Sequence, residues 1–374
     1  MSGTYDLAVV GTGIVGATAV ALAALRHPGA SVVAVCAGAV HDGSTARSLA
    51  VDIPAGRTGR QRALARRSLD LRAELAPLAP ALNAESRPAY WVLPDGGAAA
   101  VDGQLVGDAL APCDPARGAA LRAVFGGPVG AAGTGLWRSA PATVSEPAAA
   151  VEQLLGVLGG GAPGGLLGAG PGGPAGGGPR RDLVEGFAVR RIEPGPDGLR
   201  LVSSDGGQLT ARRVLAAPGA AALDGPFAAT AERLGARTKK IVAYRLRGGE
   251  PGADRPLLVL DEPDAFLLPV GSGSDWCYSI TSADWDCPAE RGRLAPDPAD
   301  RKLAEAVLAE QLPVFRPEFT GCRTGTDLYL PDFAPLIAPL DGLDGAVLAT
   351  GGAGSGFRLA PAMAEGALAL LGLA

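Results

Sequence analysis

The sequence predicts an α/β protein with a strand-glycine-helix unit at each end of the chain and a separate, sheet-containing lobe between them. Three observations lead there. Tyr5-Asp6-Leu7-Ala8-Val9-Val10 is an apolar run followed at once by Gly11-Thr12-Gly13-Ile14-Val15-Gly16, an Ala-rich stretch to Leu25 and a second apolar run, Ser31 to Val35. The tail repeats that order, with Gly345 to Thr350 as strand, Gly351-Gly352-Ala353-Gly354-Ser355-Gly356 as glycine turn and Leu359 to Leu371 as helix. Between them, residues 88–142 and 237–285 fall into short extended runs broken by turns such as Pro94-Asp95-Gly96-Gly97, which is the pattern of strands.

Strand, tight turn, helix and strand within about 30 residues make a β-α-β unit, and its glycines have separate tasks. Gly11 permits the sharp turn, Gly13 lets the backbone approach a pyrophosphate, and Gly16 lets the helix pack on the strand. The helix then presents the N–H groups of its first turn, with Ile14 and Val15, to the phosphates. In a chain holding 56 glycines the motif alone says little, and its placement between strand and helix is what makes a dinucleotide site. Such units usually carry an acidic residue about 20 positions past the glycines, on the ribose hydroxyls. Cys36 stands there instead, and the nearest acid is Asp42.

The chain of 374 residues, 47% hydrophobic, is long enough for two domains and a sizeable core. A net charge of −5, with no Lys/Arg-rich segment, speaks against nucleic acid and anionic membrane as partners. No uncharged apolar run reaches the roughly 18 residues a membrane span needs. Cys36, Cys113, Cys277, Cys287 and Cys322 are widely spaced and odd in number, which suits reduced thiols and a cytoplasmic location. With only His27 and His41, neither a histidine metal site nor a Ser-His-Asp hydrolase is expected.

After the first unit, Gly43-Ser44-Thr45-Ala46-Arg47-Ser48 groups small hydroxyl residues around one Arg, as a segment wrapping a cofactor would. Gln61 to Leu75 reads as a helix, its apolar face formed by Leu64, Ala65, Leu69, Leu71 and Leu75 and its polar face by Arg62, Arg66, Arg67, Arg72 and Glu74. Helix returns from Glu146 to Leu158. Gly159 to Pro179 is almost wholly Gly, Pro, Ala and Leu and reads as a flexible insertion. Strands follow over Phe187 to Ile192, Leu199 to Ser203 and Gln208 to Val214, the last running into Ala216-Ala217-Pro218-Gly219. Residues 237–285 read as an antiparallel block and Asp300 to Leu312 as an amphipathic helix. Two strand-glycine-helix units at opposite ends of one chain point to one long cofactor held at both ends.

These pieces together resemble the D-amino-acid oxidase-like superfamily of FAD-dependent oxidoreductases, which includes glycine and sarcosine oxidases. The resemblance rests on Gly11 to Gly16, Gly43 to Ala50, Ala63 to Leu69, Ala216 to Gly219, Pro331 to Ile337, Ala349-Thr350-Gly351 and Gly354 to Pro361, in order along nearly the whole chain. It implies a Rossmann-like FAD-binding domain from residues 1–87, 143–225 and 323–374. It also implies a discontinuous α+β domain from 88–142 and 226–322, whose mixed or antiparallel sheet covers the substrate. FAD would be held by Gly11, Gly13, Ile14, Val15, Gly16, Ser44, Thr45, Arg47, Ala217, Gly219, Gly351, Gly352, Gly354, Ser355, Gly356 and Phe357. Arg358 takes the place of the basic residue that holds a substrate carboxylate, and Arg47 that of an arginine bordering the flavin. Ser355 replaces the histidine common in the family's last glycine turn, and Asp275 to Ser279 lacks the lysine that sarcosine-oxidase-like members place over the flavin. Some members attach flavin to a cysteine before the last strand; Cys322 is read instead as a buried free thiol.

Three functions fit these residues. The first is FAD-dependent oxidation of a small amine or amino acid to an imine, with hydride passed to flavin N5, by an oxidase or dehydrogenase without a metal. The second is a flavoprotein that acts as a partner subunit or on a carrier- or peptide-held substrate. An NAD(P)-dependent dehydrogenase is the third, and leaves the C-terminal glycine turn without a role.

Overall fold

The computed structural model describes residues 3–40, 42–107, 109–159, 178–252, 255–288 and 294–374. His41 and nearly all of the expected insertion Gly159 to Pro179 lie outside the described residues.

The central sheet is parallel, in the order Ala346–Thr350, Gln208–Ala216, Thr4–Val10, Val32–Val35, Arg181–Val184. Strands buried on both faces read as continuous apolar runs. Leu7 to Val10 and Val32 to Val35 are such runs, each residue at most 6% exposed. Helices Ile14–Arg26, Pro147–Leu155 and Gly356–Leu370 cover one face. Ala17 to Ala24 are buried on every side of the first helix, and their small side chains let it lie between the sheet and its neighbours. Gln208–Ala216 outruns the parallel sheet: its first half pairs antiparallel with Gly198–Ser203 and through it with Val189–Gly195, and this meander closes the opposite face.

A second, eight-stranded sheet runs Glu318–Tyr329, Arg237–Arg247, Asp275–Trp285, Ala265–Val270, Leu257–Leu260, Ala89–Pro94, Thr134–Arg138, Ala111–Pro112. It is antiparallel except where Leu257–Leu260 lies parallel to Ala89–Pro94. Helices Pro115–Phe125 and Pro298–Gln311 pack on one face, around Trp276, Tyr278 and Phe315. Both start alike: Asp114 and Asp297 accept first-turn N–H groups at 2.8 and 2.7 Å, and a proline follows at the first helical position. The strand Leu336–Pro339, antiparallel to Ala346–Thr350 at the edge of the central sheet, and a short sheet of Val51–Asp52, Ala142–Val144 and Glu85–Arg87 complete the strands among the described residues.

Several expectations change in detail. Helix Pro115–Phe125 stands where only extended runs were expected. The strand Glu318–Tyr329 runs unbroken across the 322/323 boundary read from the sequence and belongs to the second sheet along its whole length. On helix Gly59–Leu75, Leu69 is 37% exposed, whereas Arg72, expected on the polar face, is buried at 3%. Arg72 leaves solvent because it donates to Leu82 O at 3.0 Å and faces Asp52.

Candidate functional site

The first glycine turn is a backbone crossing in which two side chains have no room. Gly11 has φ +97°, and a Cβ there would collide with Ala217 O. At Gly16 it would collide with Gly11 O. Gly11 N–H donates to Val35 O at 2.8 Å and Ala217 N–H to Val10 O at 2.7 Å, so three parallel strands end at one point. Gly13 is the N-cap of helix Ile14–Arg26, and no carboxylate lies in the first turn.

The short 3-10 turn Ser44–Arg47 joins this helix start to the second sheet. Thr45 Oγ1 accepts the Ile14 N–H at 3.0 Å, while Ser44 Oγ donates to Thr326 O at 2.6 Å. Arg47 donates to Asp42 O at 3.0 Å, and its Cδ lies where Gly325 has no side chain; a Cβ there would be 3.0 Å away. Asp42 folds back on its own loop, accepting the Ala39 N–H at 2.8 Å, and Cys36 donates to Gly38 O at 3.1 Å.

The C-terminal turn is held from both sheets. Gly351 and Gly354 have φ +73° and +75°, and a Cβ at Gly352 would collide with Gly356. Thr350 Oγ1 donates to Gly219 O at 2.9 Å, tying the turn after Gln208–Ala216 to the end of the last strand. Ser355 caps helix Gly356–Leu370 without a side-chain bond to its N–H groups. Its Oγ instead accepts from Arg358 Nη2 at 2.5 Å, and Arg358 Nη1 donates to Ile53 O at 2.6 Å. Arg358 Nε–H is buried without a partner among the described residues. Behind it, Asp52 and Arg72 pair at 3.4 Å, 2% and 3% exposed, with the Arg72 guanidinium 5.7 Å from the Phe357 ring. Burial pushes Arg358 below its ordinary value; Asp52 pulls it up, and Arg72 and Arg57 push it further down.

The sheet facing these turns contributes residues the sequence reading missed. Cross-strand register puts Lys239, Asp327 and Trp285 side by side, with Gly325 and Ile241 next along the same face. Asp327 Oδ2 accepts the Gly354 N–H at 2.8 Å, so this face meets the C-terminal turn as well as Arg47. Burial pushes Asp327 above the usual carboxylate range, against the N–H groups of Gly354 and Leu328. Lys239 lies 5.0 Å from the Trp285 ring and 5.6 Å from Tyr329. Alternation along Thr238-Lys239-Lys240-Ile241 was the available signal, since neighbouring lysines in a strand must face opposite ways. Cys322 pairs in register with Tyr244 on the helix-covered face, opposite Gly325, and is partly exposed rather than buried. None of the described residues forms a metal-binding cluster, and no described helix is long and apolar enough to cross a membrane.

Two helix starts with no acidic residue in their first turns, each behind a glycine-rich turn, suit a cofactor anionic at its middle and electron-accepting at one end. This is a flavoprotein fold, and residues 180–370 match the family model described as FAD dependent oxidoreductase. The chain belongs to that family and is an FAD-dependent oxidoreductase of the D-amino-acid oxidase-like superfamily. No curated protein matches its sequence. Among solved structures it is similar to L-proline dehydrogenase from P. horikoshii, with TM-score 0.76 and 17% identity over 99% of this chain and 94% of that one. Glycine oxidase from Geobacillus kaustophilus gives 0.72 and 16%, over 99% and 95%. Fructosamine oxidase from Aspergillus fumigatus gives 0.72 and 16%, over 100% and 87%. At these identities the likeness is one of fold.

Proposed function

We propose that the protein oxidises a small amino acid or related amine at the carbon beside nitrogen, leaving an imine. Bound FAD supplies the acceptor that takes the hydride; the chain supplies orientation, charge and exclusion of water. Gly11, Gly13, Ile14, Val15 and Gly16 would hold the pyrophosphate, with Ser44 and Thr45 over it and Ala217 and Gly219 beside it. Gly351, Gly352, Gly354, Ser355, Gly356 and Phe357 would border the ring system, and the start of the last helix would favour negative charge there. Arg47, with its Cδ beside Gly325 and its guanidinium on Asp42 O, would border the flavin from the side of the covering sheet.

Arg358 is the observation that carries the amino-acid reading. Its guanidinium adjoins the glycine turn, is held by Ile53 O and Ser355 Oγ, and keeps its Nε–H without a partner. A carboxylate seated against it would orient the adjacent carbon and meet a charge already desolvated. Arg358→Ala should therefore lower kcat/KM for a carboxylate-bearing substrate about 30- to 1000-fold, the loss of a charge-assisted bidentate pair. An uncharged amine should change little, and flavin occupancy, read from the visible spectrum, should be retained. Equal oxidation of both kinds of substrate by variant and parent would leave Arg358 a structural residue and remove the basis of the amino-acid reading.

A further inference from the structure

Lys239 and Lys240 are adjacent in one strand, and they are treated in opposite ways. Lys240 faces the helix-covered side and is neutralised twice, by Asp300 at 2.5 Å and Asp284 at 3.1 Å. Lys239 faces the glycine turns and the Ser44–Arg47 segment, is partly buried, and has no carboxylate or carbonyl partner among the described residues. The rings of Trp285 and Tyr329, 5.0 and 5.6 Å from its ammonium, stand edge to face at 5.3 Å and form an apolar wall beside it. The one carboxylate next to it in register, Asp327, is turned away and accepts N–H groups from Gly354 and Leu328. Arg57 lies near enough to act on both Lys239 and Arg358, and among the described residues its ion pair is an exposed one with Asp264 at 3.5 Å. Burial pushes Lys239 below its ordinary value, with Asp264 opposing and Arg57 adding to the effect. Asp264 acts on Lys239 only from beyond bonding distance and is itself paired with Arg57, so the partly desolvated ammonium gains from an anion that reaches it.

We propose that Lys239 binds a second carboxylate of the substrate, so that the protein acts on acidic amino acids rather than on monocarboxylic ones. This rests on the amino-acid reading above, in which Arg358 holds the carboxylate beside the reacting carbon. Lys239 then takes the distal one, between Trp285 and Tyr329, and the substrate spans from the last helix to the covering sheet. A neutral side chain of equal length would leave the ammonium without a partner, which is how a site built around an ion rejects an isostere.

The test compares aspartate and glutamate, both enantiomers, with asparagine and glutamine on the purified holoenzyme and on Lys239→Met. Flavin reduction is followed alongside equilibrium titration of the flavin spectrum with glutarate and with butyrate. The acidic amino acids should exceed their amides in kcat/KM, and glutarate should bind more tightly than butyrate. Lys239→Met should erase both preferences, lowering values for the dicarboxylates about 10- to 100-fold and leaving the amides and butyrate within about threefold. If amines reduce the flavin but acid and amide are equal, or if Lys239→Met keeps the preference, the proposal is overturned while the amino-acid reading stands. If no amine reduces the flavin, that reading fails by itself; the titration still decides, since equal glutarate and butyrate affinities would overturn the Lys239 site.

Discussion

Gly13 shows how stability and cofactor binding separate at a single position. It is the N-cap of its helix, and a Cβ there would sit 3.1 Å from Thr45 Oγ1. Aspartate is a favoured N-cap, so Gly13→Asp should leave the fold intact, while its carboxylate takes the place of the pyrophosphate and repels it. Purified Gly13→Asp should be colourless with the far-ultraviolet circular dichroism of the parent; full flavin content would refute this placement of the phosphates. Arg72 makes the opposite case, since it touches no expected cofactor atom. Replacing it by Leu leaves Asp52 buried at 2% exposure with its ion partner gone, which costs on the order of 3–5 kcal/mol. Adding Asp52→Asn should recover much of that loss in denaturant melts, because the unpaired charge is then removed.

Three helices from distant parts of the chain meet at Glu365. Arg67 holds its carboxylate through two nitrogens at 2.7 and 2.6 Å, and Arg26 adds a bond at 2.9 Å. The bonds from Arg67, with help from Arg26 and against burial, keep Glu365 below the usual carboxylate range. A depressed carboxylate contributes stability above its unfolded pKa, about 4.3, and loses it as pH falls through the folded value. Arg67 is 45% exposed, so Glu365→Gln should cost only about 1 kcal/mol at neutral pH. The gap between the melting curves of parent and variant should narrow as pH falls below about 4.3. At this scale the sequence was legible wherever side-chain periodicity and punctuation agree. The strands and helices of both glycine units fall within a few residues of their expected bounds, because glycine, apolar run and helix former all point the same way there. Helix Pro115–Phe125 was missed because its Gly118 and scattered alanines dilute the apolar stripe, although Asp114-Pro115 and Gly126 mark its ends. Asp52 and Asp327 were not legible: they owe their place to strand register between segments far apart in sequence, and no local pattern encodes register; for Lys239 the alternation with Lys240 marked opposite faces but not which face met the turns.

For the whole molecule, the expected cofactor spans units made by the first and last parts of the chain, so its removal should loosen both together. Saturating the flavin-free protein with FAD at about 100 times its Kd should add about 2.7 kcal/mol. Hydrogen exchange should then slow at residues 11–16 and 351–356 alike; protection at one turn alone would mean the cofactor is held at one end. The same architecture governs how the chain is made. Thr4–Val10 is an interior strand of the parallel sheet, yet its neighbour on one side, Gln208–Ala216, is made about 200 residues later. At roughly 5–20 residues per second, about 10–40 s pass during which Leu7-Ala8-Val9-Val10 offers an unpaired apolar edge to other nascent chains. The yield of folded protein in a cell is then set less by the stability of the finished sheet than by what shields that edge on the ribosome, and slower translation would lower it.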